Sequence, residues 1–364
     1  MARTVRSLGV QRPGHFCFFE YDEEPPIEGQ VQLETLYSGF SAGTELTFLK
    51  GTNPHLRSRF EQKNSVFIEN EVELQYPIPF LGYMEVARVA TTRADDFNTG
   101  DVVAATYAHK TGHIADPFHD LLVAVPQQVD PILGIFIAQM GPIAANGILH
   151  ADAEECGATV TSLGCGIAGR NVIVVGGGTV GLLTALFAQA SGSSEVVIVD
   201  PSEFRREKAE AMGLKAMPET QAWQYAKARW HDGSSDRGAD FVFQTRAHLD
   251  SLNIGLKALR PQGTLIDLAF YQRESQHLNL GEEFHHNGLT IRCAQINRVP
   301  KKLATAWNRR RLAAETIDLL VSKGNLIAEH MITHVVPFDQ APAFISKLLE
   351  RRFEFLQVVF KVER

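Results

Sequence analysis

Glycines between Leu163 and Gly181 form the clearest chemical pattern in this sequence, LGCGIAGRNVIVVGGGTVG. The spacing G-x-G-x-x-G occurs there twice, first at Gly164, Gly166 and Gly169 and then at Gly176, Gly178 and Gly181. A turn of this kind can bind a pyrophosphate when a strand precedes it and a helix follows it, because the helix N-terminus then presents N–H groups and a positive dipole end.

The second copy meets this requirement. The first copy runs straight into RNVIVV, whose β-branched residues are typical of a buried parallel strand, so we interpret it as the turn that leads into the strand. The second copy follows that strand and leads into LLTALFAQASG, which is rich in helix formers. A dinucleotide-binding turn is therefore predicted at Gly176–Gly181, with Thr179 and Val180 beginning the helix that faces the pyrophosphate.

An acidic residue follows at the expected distance. The apolar strand EVVIVD ends on Asp200, which lies 19 residues after Gly181. A carboxylate near this spacing binds the adenosine ribose hydroxyls and repels a 2′-phosphate, so Asp200 favours NAD over NADP. Arg205 and Arg206 follow closely and oppose that preference, which leaves NADP as the alternative.

Length and composition limit the class of protein. The 364 residues, 45% of them hydrophobic, are enough for two ordinary domains. Windows of 18 uninterrupted apolar residues, as a membrane span needs, do not occur, and MARTVRSLGVQRPG lacks the apolar core of a secretory signal. A cytoplasmic location is therefore expected.

Charge and cysteine content exclude other classes. The net charge of −7 gives no global basic surface for nucleic acid, and the four cysteines form no C-x-x-C motif. A disulfide framework and a thiolate zinc cage are thus not indicated. The expected partner is a small-molecule substrate, with no nucleic acid and no membrane, and a homodimer is a possible assembly.

The order of predicted elements divides the chain into three parts. Residues 1–145 contain short β-rich runs such as QVQLETLYSG and GDVVAATYAH, which are typical of a mainly β domain. Residues 146–296 alternate strands with helices, which predicts an α/β domain with a doubly wound parallel sheet. Residues 297–364 contain a long helix pattern, a second helix and two strands, and we expect them to complete the first domain.

This organisation resembles the medium-chain dehydrogenase/reductase superfamily. The matching segments are SGFSAGTEL, FLGYMEVARV, TGDVV, VVGGGTVGLL, RPQGTLIDLAF and ITHVVPFDQAPAFISKL. SAGTEL and EEFHHNGLTIRCAQINR are most similar to the branch that contains bacteriochlorophyllide dehydrogenase. The resemblance implies a Rossmann domain at 146–296 and a GroES-like catalytic domain at 1–145 and 297–364.

Zinc independence is expected from this resemblance. In zinc-dependent members the catalytic metal is bound by two cysteines and the histidine of a G-H-E segment, and the matching positions here hold Ala42, Tyr83 and Met140. Alanine and methionine supply no thiolate, and a phenol is a poor replacement for imidazole on zinc. The four-cysteine lobe for structural zinc is also missing. His109, His113 and His119 lie in a glycine-containing loop without a thiolate, so we do not interpret them as a metal site.

Two hydroxyls replace the metal in the chemistry that the resemblance implies. Thr44 matches the proton-relay hydroxyl of zinc-dependent relatives, and Tyr83 occupies a vacated ligand position. Without a Lewis acid, hydride transfer needs such a group at the substrate oxygen. His109 is a further candidate acid or base. Glu45 and Glu85 are candidates too, with pairing to a cation at the domain junction as the alternative for each. Structural roles in turns and packing stay open for Thr44 and Tyr83.

The remaining cofactor contacts also come from the resemblance. Backbone groups near Leu268, Ala269 and Phe270, and near Cys293 and Gln295, are expected to hold the carboxamide. The leading hypothesis is an NAD(H)-dependent oxidoreductase, without zinc, that interconverts a secondary alcohol and a ketone. The alternatives are an NADPH-dependent reductase of enones or quinones, and a non-catalytic protein that binds the cofactor.

Overall fold

The computed structural model describes residues 2–233, 236–271, 278–350 and 353–363. The chain forms two compact units, one of residues Met1–Gln139 and Ile332–Arg364 and the other of residues Met140–Met331. Among the described residues, no helix is long and apolar enough to cross a membrane.

The first part of unit 1 is built mainly of strands. Its elements are β1 (Arg3–Arg12), β2 (His15–Glu23), β3 (Val31–Phe40), α1 (Ala42–Leu49), β4 (Ser58–Glu61), β5 (Val66–Glu69), β6 (Glu85–Thr92), β7 (Val102–Ala105), β8 (Gly112–Ala115) and β9 (Val123–Ala124).

Unit 2 alternates helices and strands. Its elements are α2 (Met140–Cys156), β10 (Asn171–Val175), α3 (Thr179–Ala190), β11 (Glu195–Val199), α4 (Glu203–Ala211), β12 (Lys215–Met217), α5 (Ala222–Arg229), β13 (His231–Asp232), β14 (Asp236–Arg237), β15 (Ala239–Gln244), α6 (Leu249–Ala258), β16 (Leu259–Asp267), β17 (Thr290–Cys293) and α7 (Arg309–Met331).

The chain then returns to unit 1 through β18 (Ile332–Pro337), α8 (Ala341–Leu349) and β19 (Gln357–Lys361). Short helical turns lie at Pro54–Leu56, Pro131–Phe136, Glu219–Gln221, Leu280–Phe284, Lys301–Leu303 and Phe338–Gln340.

The sheet of unit 2 has the order β12-β11-β10-β15-β16-β17, and its strands are parallel. This is the doubly wound order in which a dinucleotide binds beside the carboxyl ends of the central strands. The core strands β10, β11 and β15 are buried almost throughout, because helices cover both faces of a parallel sheet.

Unit 1 contains a seven-stranded sheet in the order β18-β19-β3-β6-β7-β9, with β8 also paired to β3. The pairs β3 with β6 and β19 with β3 are antiparallel, and β3 alternates buried and half-buried residues along its first half. The prediction of an α/β protein with a parallel-sheet domain and a mainly β domain is confirmed.

The boundaries differ from those expected. Unit 2 begins at Met140 rather than residue 146, because α2 packs on α3 and α7. It ends at Met331 rather than residue 296, because α7 also packs on α3 and α4. The long helix predicted for the C-terminal part of the mainly β domain therefore belongs to the parallel-sheet unit.

Candidate active site

The second glycine motif lies between β10 and α3. Gly176 has a φ of +108°, which an L side chain rarely adopts, and Gly178 is the N-cap residue of α3. A Cβ on Gly181 would lie 1.8 Å from the Gly176 carbonyl oxygen, so the turn requires glycine there. The structure thus has the strand, turn and helix that the sequence predicts, with Thr179 and Val180 in the first turn of α3.

The first motif forms a turn before β10, as expected. Its Gly164 and Gly166 N–H groups donate to the carboxylate of Asp152 on α2, at 2.6 and 2.7 Å. Burial raises the pKa of Asp152 to about 6, although these hydrogen bonds oppose the shift. The side chain of Asp152 therefore occupies the N–H groups that a phosphate would need.

Asp200 follows β11 and is 2% exposed. Its two carboxylate oxygens accept hydrogen bonds from the Gly177 N–H at 2.7 Å and the Ser202 N–H at 2.8 Å. The Arg205 guanidinium lies 3.8 Å from this carboxylate. Arg206 instead donates to the backbone carbonyls of Asp200 and Pro201, so the two arginines have different partners.

The segments expected to hold the carboxamide follow β16 and β17. Leu268 N–H donates to the Gln244 carbonyl at 2.9 Å, and Ala269 N–H donates to the Asp267 carboxylate at 3.0 Å. Phe270 is 41% exposed. These segments lie beside neighbouring strand ends, since Asp267 pairs with Cys293 in the sheet register.

Helix α2 holds the segment that follows β17. Asn146 donates from Nδ2 to the carbonyl of Gln295 at 3.1 Å, and His150 Nε2 lies 3.0 Å from the carbonyl of Arg298. Two polar groups at the strand ends, the buried Gln244 and the half-buried Asp267, are not predicted from the sequence. Both end apolar strand runs, DFVFQT and TLIDLAF, and a polar residue in that position was the available signal.

In unit 1 the phenol of Tyr83 contacts two hydroxyls from the start of α1. Tyr83 donates to Ser41 Oγ at 2.5 Å, and the Thr44 hydroxyl also hydrogen-bonds with the phenol. Ser41 is the N-cap residue of α1 and Thr44 lies in its first turn. Thr44 and Tyr83 are predicted from the sequence but Ser41 is not, and the available signal was that serine is a favoured N-cap residue.

Behind Ser41 lies a buried cluster of one imidazole and two carboxylates. His109 Nε2 is 2.6 Å from Glu45 Oε2, and His109 Nδ1 is 3.4 Å from Glu85 Oε1. Ser38 Oγ bridges this second pair, 2.5 Å from His109 Nδ1 and 2.8 Å from Glu85 Oε1. The His109 ring leaves no room for a Cβ at Gly82, which would approach it to 2.7 Å.

The cluster is linked to Ser41 through Glu45. Glu45 Oε1 accepts a hydrogen bond from the Ser41 N–H at 2.8 Å. This bond also places a carboxylate at the positive end of α1. Glu85 Oε2 is buried and has no hydrogen-bond partner among the described residues. A proton on this oxygen would remove a buried charge.

The electrostatics of the cluster follow from burial and charge. Burial raises the pKa of Glu85 to about 7, against the opposing effect of His109. Burial alone lowers the pKa of His109, but Glu45 and Glu85 outweigh it and raise the value to about 10. Burial raises the pKa of Tyr83 to about 12, and the charge of Glu45 adds to that shift. At neutral pH the phenol is therefore protonated and the imidazole is a cation.

The three histidines of the predicted loop have different environments. His109 is 0% exposed and both of its ring nitrogens are engaged, so it cannot reach a substrate as the expected acid or base. His113 lies on β8 against the Tyr107 ring, and burial lowers its pKa to about 4. His119 is exposed. The cation with which Glu45 and Glu85 pair is His109, which lies within unit 1 and not at the expected domain junction.

The positions that match zinc ligands are Ala42 at the start of α1, Tyr83 before β6 and Met140 at the start of α2. In the described part of the chain, no group of three or more His, Cys, Asp or Glu side chains has an arrangement that could hold a metal ion.

Comparison with known proteins agrees with this architecture. The family model described as zinc-binding dehydrogenase matches residues 179–309. The D-guloside 3-dehydrogenase of Escherichia coli K12 is 24% identical over 96% of this chain and 97% of its own length. An alcohol dehydrogenase from Thermotoga maritima has a similar fold, with a TM-score of 0.74 and 16% identity over 99% of this chain and all of that chain. Galactitol-1-phosphate dehydrogenase from Escherichia coli has a TM-score of 0.73 and 16% identity over 98% of this chain and 99% of that chain.

The family model, the full-length relative and the fold together support the resemblance to the medium-chain dehydrogenase/reductase superfamily that the motifs predict. The expectation of an oxidoreductase acting on CH–OH groups is confirmed at that level.

Proposed function

We propose that this protein is an NAD(H)-dependent oxidoreductase that interconverts a secondary alcohol and a ketone without a catalytic zinc ion. The observation that carries the proposal is the Tyr83 phenol, which contacts the Ser41 and Thr44 hydroxyls next to the negative charge of Glu45. This arrangement keeps a proton on the phenol at neutral pH, and such a group can donate to a substrate oxygen.

The cofactor side of the proposal rests on the turn between β10 and α3. A Cβ on Gly178 would contact only Arg205 Nη1, at 3.6 Å, so there is space beside the N-terminus of α3 for a pyrophosphate. We assign the pyrophosphate to Gly176, Gly178, Thr179, Val180 and Gly181. A bound nicotinamide ring supplies the hydride acceptor in one direction and the hydride donor in the other.

The carboxamide is assigned to backbone groups at the carboxyl ends of β16 and β17. Leu268, Ala269 and Phe270 follow the first strand, and Cys293 and Gln295 lie at the end of the second. The α2 side chain of Asn146 holds the Gln295 carbonyl, which gives this segment a defined backbone position.

The preference for NAD rests on Asp200. Its carboxylate is held by the Gly177 and Ser202 N–H groups and would repel a 2′-phosphate. Arg206 is occupied by backbone carbonyls, whereas Arg205 lies beside Gly177 and Gly178 of the turn. Arg205 is the feature that favours the NADPH alternative, so binding of both cofactors must be compared.

On the substrate side, Tyr83 has the role that zinc has in metal-dependent relatives. In ketone reduction its O–H donates to the carbonyl oxygen and gives its proton to the forming alkoxide, and the Ser41 and Thr44 hydroxyls pass a proton from water to the phenolate. In alcohol oxidation the phenol must first lose its proton, so its raised pKa makes this direction faster at high pH. We reassign His109 as a positioning residue, which holds Glu45 and through it the Ser41 backbone.

The absence of catalytic zinc is part of the proposal. Support comes from side-chain chemistry, because Ala42 has no donor atom and a methionine thioether at Met140 is a soft, weak ligand for zinc.

The experiment combines cofactor titration with a substrate panel. Fluorescence titration with NADH and NADPH gives the cofactor preference. Steady-state assays with secondary alcohols, polyols, sugars and amino alcohols then test for CH–OH oxidation, with enones and quinones as the comparison. Turnover of a secondary alcohol with NAD supports the proposal. Tighter NADPH binding with turnover of enones alone contradicts it and favours the reductase alternative.

A further inference from the structure

Two cysteines that are separate in the sequence have adjacent sulfurs in unit 2. Cys156 ends α2, and Cys165 lies in the turn before β10 between Gly164 and Gly166. The two Sγ atoms are 3.9 Å apart. A disulfide has a sulfur separation of about 2.05 Å, so the two sulfurs must approach by roughly 2 Å to form the bond.

The backbone on both sides of this pair is held by hydrogen bonds. Asp152, one turn before Cys156 on α2, accepts the N–H groups of the two glycines that flank Cys165. The carbonyl of Cys156 accepts hydrogen bonds from the N–H and hydroxyl of Thr159. The same aspartate thus fixes the end of α2 against the turn that carries the second thiol.

The connecting loop is also anchored. Arg311 donates from Nη2 to the Thr161 carbonyl at 2.8 Å, and its guanidinium lies 3.6 Å above the ring of buried Trp307. The backbone on both sides of the two thiols is therefore held in a defined position.

The two thiols differ in their access to solvent. Cys165 is exposed and Cys156 is half-buried. Burial, and then the neighbouring Cys165 sulfur, raises the pKa of the Cys156 thiol. An oxidant from solvent therefore meets Cys165 first, with Cys156 behind it.

We propose that Cys156 and Cys165 are a redox modification site that forms a reversible intramolecular disulfide. The oxidant is a hydroperoxide, with hydrogen peroxide as the simplest. The Cys165 thiolate attacks a peroxide oxygen, the O–O bond breaks, and a sulfenic acid and water result once the leaving hydroxide takes a proton. The Cys156 sulfur then attacks the Cys165 sulfur, the S–O bond breaks and a second water leaves.

In sum, two thiols lose two electrons and two protons, and the peroxide is reduced to two waters. A dithiol reductant reverses the reaction by thiol–disulfide exchange. This site uses none of the groups assigned to hydride transfer, so it is independent of the proposed function.

The test is oxidation of the intact folded protein by a small excess of hydrogen peroxide, followed by thiol titration and peptide mass mapping. The wild-type chain has four cysteines. We expect two titratable thiols to disappear, a cross-linked peptide to join Cys156 and Cys165, and dithiothreitol to restore both thiols. The midpoint of thermal unfolding should rise by roughly 5 °C, because the bond closes a loop of about ten residues.

Cys165→Ser is the informative variant, because an exposed position tolerates the change. It should form no cross-link and should keep its midpoint after peroxide treatment. Cys17→Ser, in a strand of the other unit, is the matched control and should still lose two thiols. The proposal is overturned if the folded wild-type protein keeps four thiols, or if Cys165→Ser loses as many thiols to a disulfide as the wild type.

Discussion

Replacement of His109 by glutamine should destabilise unit 1 strongly. The imidazolium lies against Glu45 and Glu85, and all three side chains are at most 1% exposed. Removal of one partner from such a pair leaves a buried charge and costs about 3 to 5 kcal/mol. For a unit of this size, the midpoint of thermal unfolding should fall by on the order of 10 °C.

The raised pKa of His109 leads to a similar free-energy cost by a second route. The carboxylates raise that pKa to about 10. Relative to the ordinary histidine value of about 6.5, this difference corresponds to roughly 5 kcal/mol of stability. The stabilisation is fully present below pH 6.5 and is lost as the pH rises through 10, because the folded state then gives up a proton that the unfolded state has already lost.

Glu85 adds to the same trend at lower pH. Burial raises its pKa to about 7, so its contribution is present below the ordinary glutamate value of about 4.3 and is lost as the pH rises through 7. Wild-type stability should therefore decrease from pH 5 to pH 10. In His109→Gln the decrease between about pH 6.5 and pH 10 should be much smaller.

The assay is thermal unfolding followed by circular dichroism at several pH values, with His119→Gln as the control. His119 is exposed, so its replacement should change the free energy of unfolding by less than about 0.5 kcal/mol. An unfolding midpoint for His109→Gln within about 2 °C of the control at neutral pH would refute the assignment of a buried ion pair.

Three further predictions concern the proposed reaction. Tyr83→Phe should lower kcat by roughly 100- to 10,000-fold with little change in NADH affinity. Thr44→Val should lower kcat less, because a water molecule can replace a relay hydroxyl. A kcat for Tyr83→Phe within a factor of about two of wild type would make Tyr83 a packing residue. NADH should bind more tightly than NADPH in fluorescence titrations, and Asp200→Ala should narrow the difference; a wild-type preference for NADPH would mean that Arg205 dominates. Elemental analysis should find no stoichiometric zinc, and one tightly held zinc per chain with activity lost on chelation would contradict the metal-free mechanism.

Much of the parallel-sheet unit was predictable because each of its signals is local. The strand predicted in RNVIVV is β10, Asn171–Val175, and the glycine turn and α3 follow it directly. The β-branched run, the turn glycines and the following helix formers are consecutive in the sequence, so their meaning does not depend on distant residues.

The end of α7 was harder to predict. The sequence HMITHVVPF resembles one strand, but His330 and Met331 continue the helix and β18 begins at Ile332. Met331 is fully buried, and tertiary packing of that kind can override local propensity. Because α7 belongs to unit 2, that unit ends at Met331 and not at the expected residue 296.

The buried cluster in unit 1 depended on tertiary structure. Its four residues come from different elements. Ser38 lies near the end of β3, Glu45 in the first turn of α1, Glu85 at the start of β6 and His109 in a loop. Sequence spacing places none of them beside another, and the pairing of β3 with β6 and with β8 brings their segments together. The proximity of Cys156 and Cys165 also depends on tertiary structure, because Asp152 on α2 accepts hydrogen bonds from the glycines that flank Cys165.

The most direct test of the proposed reaction follows the hydride itself. Secondary alcohols and polyols that carry deuterium on the carbinol carbon are incubated with NAD and the enzyme, and the nucleotide is analysed by mass spectrometry. We predict that at least one alcohol yields the ketone together with NADH that contains deuterium at C4 of the nicotinamide, and that Tyr83→Phe slows this transfer. NADH binding without deuterium transfer from any alcohol in the panel would contradict it.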